Sequence, residues 1–296
     1  MRAMICFKPR LNELLSRLDV NLDTKEKYVQ QLIDDSLLLD PETPFVSIDN
    51  FEEALNSLSI SPIWLSYGGA RTGSTTTSLI LRILMDSLVS NYISAWEGDF
   101  KDPLKFIDLV LGGQQIKSGI LKIHRFNDDC NTILEKGMAK GFVPIRDYPS
   151  KVSSYKRMSM VRNSPFYRER GLSHDEIKNF IISEVKLERR KRSLHGCLFF
   201  KIREIEKDPA VCIQKIALHS GIKLSQSNCK FISKFIAKDK LREDSRIICP
   251  SSTGHDSQTF MHFEHIASEG YDDAEIKEFT RNFLRGEIDS EGYLLN

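Results

Sequence analysis

The 296-residue chain lacks any C-x-x-C pair, and its six cysteines are scattered between Cys6 and Cys249. This spacing favours reduced, mostly buried thiols over a disulfide framework, which is typical of a cytosolic protein. No apolar run approaches the roughly 18 residues that a membrane-spanning helix needs. Residues 1–10 carry basic side chains but no apolar run of a secretory leader. We therefore expect a cytoplasmic protein without a membrane span.

The chain also has no excess of charge of one sign, with 42 Lys and Arg against 41 Asp and Glu, for a net charge of +1. No overall field would recruit nucleic acid or an anionic membrane, so neither is an expected partner. The basic run at 186–192 (KLERRKR) is a local exception. It is interpreted as the solvated face of a helix.

Strand-like and helix-like segments alternate through most of the sequence. Leucine spacing predicts helices within 10–40 and at 50–58, which form an N-terminal helical extension (1–60) packed on an α/β domain (61–296). Strands are predicted at 62–67, 119–124, 141–146 and 197–202, with helices at 74–90, 131–140 and 272–285. The expected fold is a P-loop-like three-layer α/β sandwich, with a mostly parallel central sheet flanked by helices.

A glycine-rich loop follows the first predicted strand and leads into a helical pattern. Its amide groups and the helix dipole would bind an anion, and Arg71 adds a full positive charge. Gly68 and Gly73 have the G-x₄-G spacing of a nucleoside triphosphate loop, but Ser74 and Thr75 stand where that motif requires Lys and Ser/Thr. The missing lysine argues against an ordinary ATPase or kinase.

The second predicted strand ends in Lys122-Ile123-His124. Residues two apart on a strand share a face, so the lysine and histidine would project together. A base that titrates near neutral pH beside a fixed cation suits abstraction of a proton from a hydroxyl. On this segment alone, a solvent-facing pair at a strand end is the alternative.

Arg146 ends the third predicted strand, and Pro149 with Ser150 predicts the start of a helix whose first turns contain Ser154. A guanidinium fork and a hydroxyl that converge there can hold a phosphate. An ordinary N-cap beside a surface arginine is the alternative.

Together, the three segments resemble the sulfotransferases that use 3′-phosphoadenosine 5′-phosphosulfate (PAPS). Arg71-Thr72-Gly73-Ser74-Thr75 is similar to that family's 5′-phosphosulfate loop, and Arg146 with Ser154 has the spacing of its 3′-phosphate motif. Lys122-Ile123-His124 matches the Lys-x-His that many members carry between the two. The resemblance covers about a third of the chain, residues 60–160. The family's Arg-Lys-Gly loop near the C-terminus has no clear counterpart.

The resemblance implies in-line sulfuryl transfer from PAPS without a metal. Residues 72–76, including Thr76, would hold the 5′-phosphate, while Arg146 and Ser154 would bind the 3′-phosphate. Arg71 and Lys122 would stabilise the developing charge. His124 is the favoured base, and Glu97 is the alternative because some bacterial relatives use a glutamate after the first helix.

Other functions remain open at this point. A P-loop-type nucleotide kinase or NTPase with a degenerate loop would need a magnesium-holding aspartate such as Asp147. A non-catalytic nucleotide-binding module would not need Lys122 and His124. The acceptor, a small molecule, glycan, lipid or peptide, is not identified, and residues 91–118, 158–175 and 250–270 are expected to shape its pocket. The N-terminal helices are expected to cover the sheet or to contribute to a homodimer.

Overall fold

The structure, a computed structural model, describes residues 63–86, 92–97, 103–111, 118–160, 168–169, 171–222, 224–236 and 273–295. Its strands are β1 (Ile63–Ser66), β2 (Ile93–Trp96), β3 (Gly119–Lys122), β4 (Ala139–Ile145) and β5 (Cys197–Lys201). Its helices are α1 (Ser74–Asp86), α2 (Pro103–Leu111), α3 (Asp128–Glu135), α4 (Tyr148–Ser159), α5 (His174–Arg192), α6 (Ile202–Lys207), α7 (Pro209–His219), α8 (Gln226–Phe235) and α9 (Ala274–Phe283). No helix in these ranges is both long and apolar enough to cross a membrane.

The five strands form one sheet in the order β2-β3-β1-β4-β5, and every neighbouring pair is parallel. The predicted α/β fold with a parallel central sheet is therefore confirmed. The helices predicted at 10–40 and 50–58 lie outside the described residues, so the proposed N-terminal extension stays a prediction. Because all strands run the same way, their carboxyl ends meet at one edge of the sheet.

Side chains of β1 alternate between two separate cores, one on each face of the sheet. Trp64 packs with the apolar faces of α1, α7 and α8. Ile63 and Leu65 pack on the opposite face with α2 and α3. Burial on both faces explains why this strand is a continuous apolar run without polar alternation. In α1, Ile80 and Leu84 are fully buried against the first core, which fixes where the helix and the preceding loop lie.

Pro144 lies within β4 at a point where the sheet does not need its missing N–H. Phe142 accepts a hydrogen bond from the amide of Tyr67, whereas Gly141 donates to Gly196 on the other side of the strand. The pairing of β1 with β4 ends at Ser66 and Phe142. Pro144 has the same orientation as Phe142, so its nitrogen faces the side on which β1 has already ended.

Several predicted boundaries are wrong. Strand β3 ends at Lys122, so His124 lies in the following loop rather than on the strand. Helix α3 begins at Asp128 instead of Asn131, because the side chain of Asn127 caps it by accepting a hydrogen bond from the Cys130 amide. Strand β2 and helix α2 were not predicted; both lie within 91–118, which was expected only to shape the acceptor pocket.

Candidate active site

The candidate residues lie where four parallel strands end. Arg71 is in the loop after β1, Glu97 follows β2, His124 lies two residues beyond β3, and Arg146 follows β4. The carboxyl edge of a parallel sheet is where α/β proteins bind their ligands. The structure thus brings residues from all three sequence motifs to one place.

The loop between β1 and α1 has the geometry of an anion site. Helix α1 begins at Ser74, so the amide groups of its first turn, through Thr76, have no helical carbonyl to donate to. Arg71 and Gly73 both have positive φ, 62° and 91°. That conformation strains a non-glycine residue, and such strain is typically kept at functional sites.

Close packing holds this loop in shape. A Cβ atom added to Gly68 would lie 2.6 Å from Thr72 Oγ1 and 2.8 Å from Pro144 Cγ, so any other residue would force these side chains to move. The Thr72 hydroxyl donates to the carbonyl of Gly69 at 2.8 Å. The Ser66 hydroxyl donates to the carbonyl of Ser74 at 3.0 Å and fastens β1 to the start of α1. The hydroxyl groups of Thr72 and Ser66 thus stabilise the loop conformation by hydrogen bonds to backbone carbonyls.

Lys122 and His124 both reach the first turn of α1. Lys122 Nζ donates to Thr75 Oγ1 at 2.9 Å, and His124 Nε2 lies 2.9 Å from Ser74 Oγ. The two side chains therefore converge on the anion loop although β3 ends between them. An ammonium group from β3, a strand that neighbours β1, thus reaches the first turn of α1.

Glu97 and His124, which the sequence offered as alternative bases, are direct neighbours. Glu97 Oε1 accepts from the amide of His124 at 3.1 Å, and Oε2 accepts from the amide of Arg125 at 3.4 Å. The same Oε1 lies 3.5 Å from His124 Nδ1. A carboxylate in that position favours a proton on Nδ1 and leaves Nε2, beside Ser74, as the basic nitrogen.

The environment keeps His124 neutral. Burial has the largest effect and lowers the pKa of His124 below its usual 6.5; Glu97 opposes this, and the charges of Lys122 and Lys191 add to the lowering. Burial would raise the pKa of Glu97, but three effects outweigh it and lower the value: the hydrogen bonds with His124, the attraction to that ring when it is protonated, and the hydrogen bond from the Arg125 amide. A neutral imidazole beside an ionised carboxylate is the arrangement that a general base requires.

The two phosphate motifs predicted from sequence are in contact. Arg71 Nε donates to Ser154 Oγ at 3.0 Å, and Arg146 Nη1 lies 3.4 Å from the carbonyl oxygen of Arg71. Ser154 lies in α4, whose first turn is capped by Asp147 through a hydrogen bond from the Ser150 amide. Arg71, Arg146 and Ser154 therefore form one cluster rather than two separate features.

Arg157 is a further cation of this cluster that was not predicted from the sequence. Burial, then the charges of Arg146 and Arg157, lower the pKa of Arg71 to about 10. Arg157 follows Ser154 by three residues on α4, so both project from the same side of the helix. That spacing was visible in the sequence. Three guanidinium groups this close repel one another, and a bound dianion would relieve the repulsion.

The basic run at 186–192 is not simply a solvated face. Its exposed members are Lys186, Arg189 and Arg190, but Lys191 is 1% exposed. Lys191 Nζ donates to the carbonyl groups of Tyr67 and His124 at 3.0 and 2.9 Å. The prediction was wrong for this residue because the side of α5 that carries Lys191 packs against the backbone of Tyr67 and His124.

Asp147 does not occupy the position of a free magnesium ligand. One carboxylate oxygen accepts from the Ser150 amide at 2.9 Å, and the other lies 3.8 Å from Arg203 Nε. The carboxylate is thus committed to capping α4 and to an ion pair. This arrangement gives the kinase hypothesis no support.

The fold is similar to that of a solved sulfotransferase. A crystal structure of mouse sulfotransferase SULT7A1 complexed with PAP has a TM-score of 0.50 and 14% sequence identity, and the match covers 79% of this chain and 90% of that chain. The resemblance inferred from the three motifs is therefore confirmed at the level of the fold.

Two crystal structures of retinol dehydratase are also similar, with androsterone and the inactive cofactor PAP in one, and with retinol and PAP in the other. Their TM-scores are 0.44 and 0.43, each at 13% identity, covering 83% of this chain and 90% and 91% of theirs. No family model and no curated sequence matches the chain.

Several residues discussed above lie outside the described part of the chain. They include residues 250–270, in the part of the chain where the family's Arg-Lys-Gly loop would be expected. Of the segments expected to shape an acceptor pocket, 91–118 and 158–175 are described in part, and 250–270 lies outside the described residues.

Proposed function

We propose that this protein is a sulfotransferase that moves a sulfuryl group from PAPS to a hydroxyl or amine of an acceptor by in-line transfer. The observation that carries the proposal is the hydrogen bond from Arg71 Nε to Ser154 Oγ, which joins the two phosphate motifs into one site. The fold shared with a PAP-bound sulfotransferase supports it. PAP, the 3′,5′-bisphosphate left when PAPS gives up its sulfuryl group, has two anionic ends for these two motifs.

The residues present fit such a donor. The amide groups at the start of α1 face the carboxyl edge of the sheet, where the helix dipole favours the 5′-phosphate. Arg146, Arg157 and Ser154 offer two guanidinium forks and a hydroxyl for the 3′-phosphate. Arg71 lies between the two sets, since its Nε bonds Ser154 while its backbone belongs to the loop. The 3′-phosphate is the group that distinguishes PAPS from ATP.

The chemistry follows from the positions of Lys122 and His124. His124 Nε2 would take the proton from the acceptor O–H or N–H, while the new bond to sulfur forms and the bond from sulfur to the 5′-phosphate oxygen breaks. The products are the sulfated acceptor and PAP, with the proton on His124. Lys122, 2.9 Å from Thr75 Oγ1, would stabilise the charge that builds on the leaving oxygen.

Glu97 has a supporting role in this proposal. Its carboxylate, 3.5 Å from His124 Nδ1, holds the ring and stabilises the imidazolium that forms during transfer. Ser74 Oγ lies 2.9 Å from His124 Nε2. An acceptor hydroxyl would have to replace this contact to give its proton to the same nitrogen.

The test is transfer from PAPS labelled in its sulfuryl group to a panel of sugars, phenols, lipids and peptides. We expect label on one class of acceptor, with stoichiometric release of PAP, and a loss of about 10²-fold or more in His124→Ala. Arg281→Ala, an exposed arginine on α9, is the control and keeps full activity. Transfer of the γ-phosphate from ATP with Mg²⁺ in place of sulfuryl transfer would contradict the proposal.

A further inference from the structure

Lys191 on α5 contacts both the segment that leads into the anion loop and the segment that contains His124. Its Nζ donates to the carbonyl oxygens of Tyr67 at 3.0 Å and His124 at 2.9 Å, and lies 3.5 Å from that of Gly68. The ammonium also lies 4.0 Å from the centre of the Tyr67 ring. One buried cation thus contacts both the start of the anion loop and the residue proposed as the base.

Helix α5 fixes this cation in place through other buried charges on the same face. Glu184 Oε2 lies 2.6 Å from Lys151 Nζ, and Glu188 Oε1 lies 2.8 Å from Arg192 Nη2. Spacings of four and three residues from Glu184 through Glu188 to Lys191 place all three on one side of the helix. A Cβ atom at Gly69 would collide with Glu184, so the loop lies directly on this face.

The chemistry of Lys191 suits the task of holding backbone carbonyls. An ammonium has three donors for the three carbonyl oxygens, whereas a neutral amine has only two. Burial lowers the pKa of Lys191 to about 7; Glu184, Glu97 and Cys197 oppose this effect, and Lys151 adds to it. The three contacts are thus complete only while the side chain keeps its proton.

We propose that Lys191 is a positioning residue that fixes His124 relative to the anion-binding loop by holding backbone carbonyls on both sides. The proposal rests on the function proposed above, because it assigns the base role to His124. It goes beyond that function by placing a determinant of base geometry on α5, outside the three motifs. Lys191 acts through the backbone of Tyr67, Gly68 and His124.

A second consequence is electrostatic. The charge of Lys191 is among those that lower the pKa of His124. Removing it should raise that pKa, and the acid limb of the rate profile should move to higher pH. If the variant instead let His124 move away from Glu97, the His124 pKa would fall, because Glu97 raises it. A raised pKa therefore reports the loss of the Lys191 charge, and a lowered pKa reports displacement of His124.

The experiment compares Lys191→Met, Lys191→Arg and the control Lys186→Met, which removes an exposed lysine of the same helix. Amide hydrogen exchange at 66–73 and 123–125 and the His124 pKa from NMR titration are measured on each full-length protein. We expect Lys191→Met to exchange faster at both segments and to show a raised His124 pKa. Lys191→Arg should retain most of the behaviour of the unaltered protein, and Lys186→Met all of it.

The transfer rate and the dissociation constant for PAP, measured together, distinguish a positioning role from a purely structural one. In Lys191→Met, the transfer rate should fall by about tenfold or more, while the dissociation constant for PAP changes by less. Unchanged exchange and an unchanged His124 pKa in a folded Lys191→Met would overturn the proposal. Failure of the unaltered protein to bind PAP would instead overturn the proposed function, since exchange and titration report on Lys191 independently of PAP.

If Lys191→Met does not fold, Lys191→Gln takes its place, because its amide can still donate to a backbone carbonyl but carries no charge. The His124 pKa should then rise, and the amides at 123–125 should exchange faster than in the unaltered protein. Unchanged exchange together with an unchanged His124 pKa in Lys191→Gln would contradict the proposal.

Discussion

Arg71 Nε donates a hydrogen bond to Ser154 Oγ at 3.0 Å across 83 residues of sequence. Arg71 belongs to the loop after β1, and Ser154 to the helix after β4. These strands are neighbours in the sheet, so both segments start from the same edge. The bond explains how two short motifs, each weak alone, can build one site for a ligand with two phosphates.

Arg146→Ala should weaken PAP binding. Arg146 approaches the Arg71 carbonyl at 3.4 Å and lies within the same cationic cluster. Its loss would remove charge-assisted hydrogen bonds from the proposed 3′-phosphate site. Such bonds contribute about 1.5–3 kcal/mol each, which corresponds to a loss of about tenfold or more in affinity. Thermal stabilisation by PAP measures it, with Arg281→Ala as the control. An undiminished shift in Arg146→Ala would remove this arginine from the site.

Arg157→Ala should weaken binding of PAP without weakening that of adenosine 5′-monophosphate, which lacks the 3′-phosphate. The reason is that Arg157 follows Ser154 on α4 and adds to the charge felt by Arg71. Because Arg157 also lies 3.9 Å from Asp273, the folded state of the variant is checked by its unfolding temperature. Equal losses for both nucleotides would assign Arg157 a structural role instead.

Replacing Glu97 by Gln should distinguish the two candidate bases. If His124 is the base, Glu97→Gln lowers the His124 pKa further, because it removes the charge that opposes the lowering. The transfer rate falls as pH drops through the His124 pKa, so the acid limb of the profile should shift to lower pH while activity above it persists. Complete loss of transfer at every pH would identify Glu97 as the base.

Gly68→Ala should destabilise the protein, because the new methyl group would meet Thr72 Oγ1 at 2.6 Å and Pro144 Cγ at 2.8 Å. Overpacking of this kind costs about 1–3 kcal/mol. Combining it with Pro144→Ala removes one of the two obstacles. In urea unfolding, the double variant should therefore lose less free energy than the sum of the single variants. Strict additivity would show that the proline does not confine the loop.

The sequence was informative where local pattern decides structure. The apolar run at β1 and the spacing of Leu79, Ile80, Ile83 and Leu84 predicted a strand–loop–helix unit, which the structure contains. Arg146 and Ser154 were found because a strand end followed by a capped helix fixes their separation. Strand β2 was not predicted because its sequence, Ile-Ser-Ala-Trp, lacks the apolar run that marks β1.

Long-range contacts could not be predicted in the same way. The run KLERRKR gives no sign that Lys191 turns inward while Arg189 and Arg190 stay exposed. That distinction depends on Tyr67, Gly68 and His124, which are distant in sequence and offer the carbonyl groups that a buried ammonium needs. The meeting of Glu97 with His124 likewise follows from the order of strands β2 and β3 in the sheet.

The central claim is that this edge of the sheet binds a 3′,5′-bisphosphate. Isothermal titration calorimetry with PAP, adenosine 5′-monophosphate and ATP with Mg²⁺ tests it directly on the unaltered protein. We expect one PAP per chain, bound at least about tenfold more tightly than the monophosphate because the arginine cluster engages the 3′-phosphate. Equal affinity for PAP and the monophosphate, or tighter binding of ATP with Mg²⁺, would contradict the account.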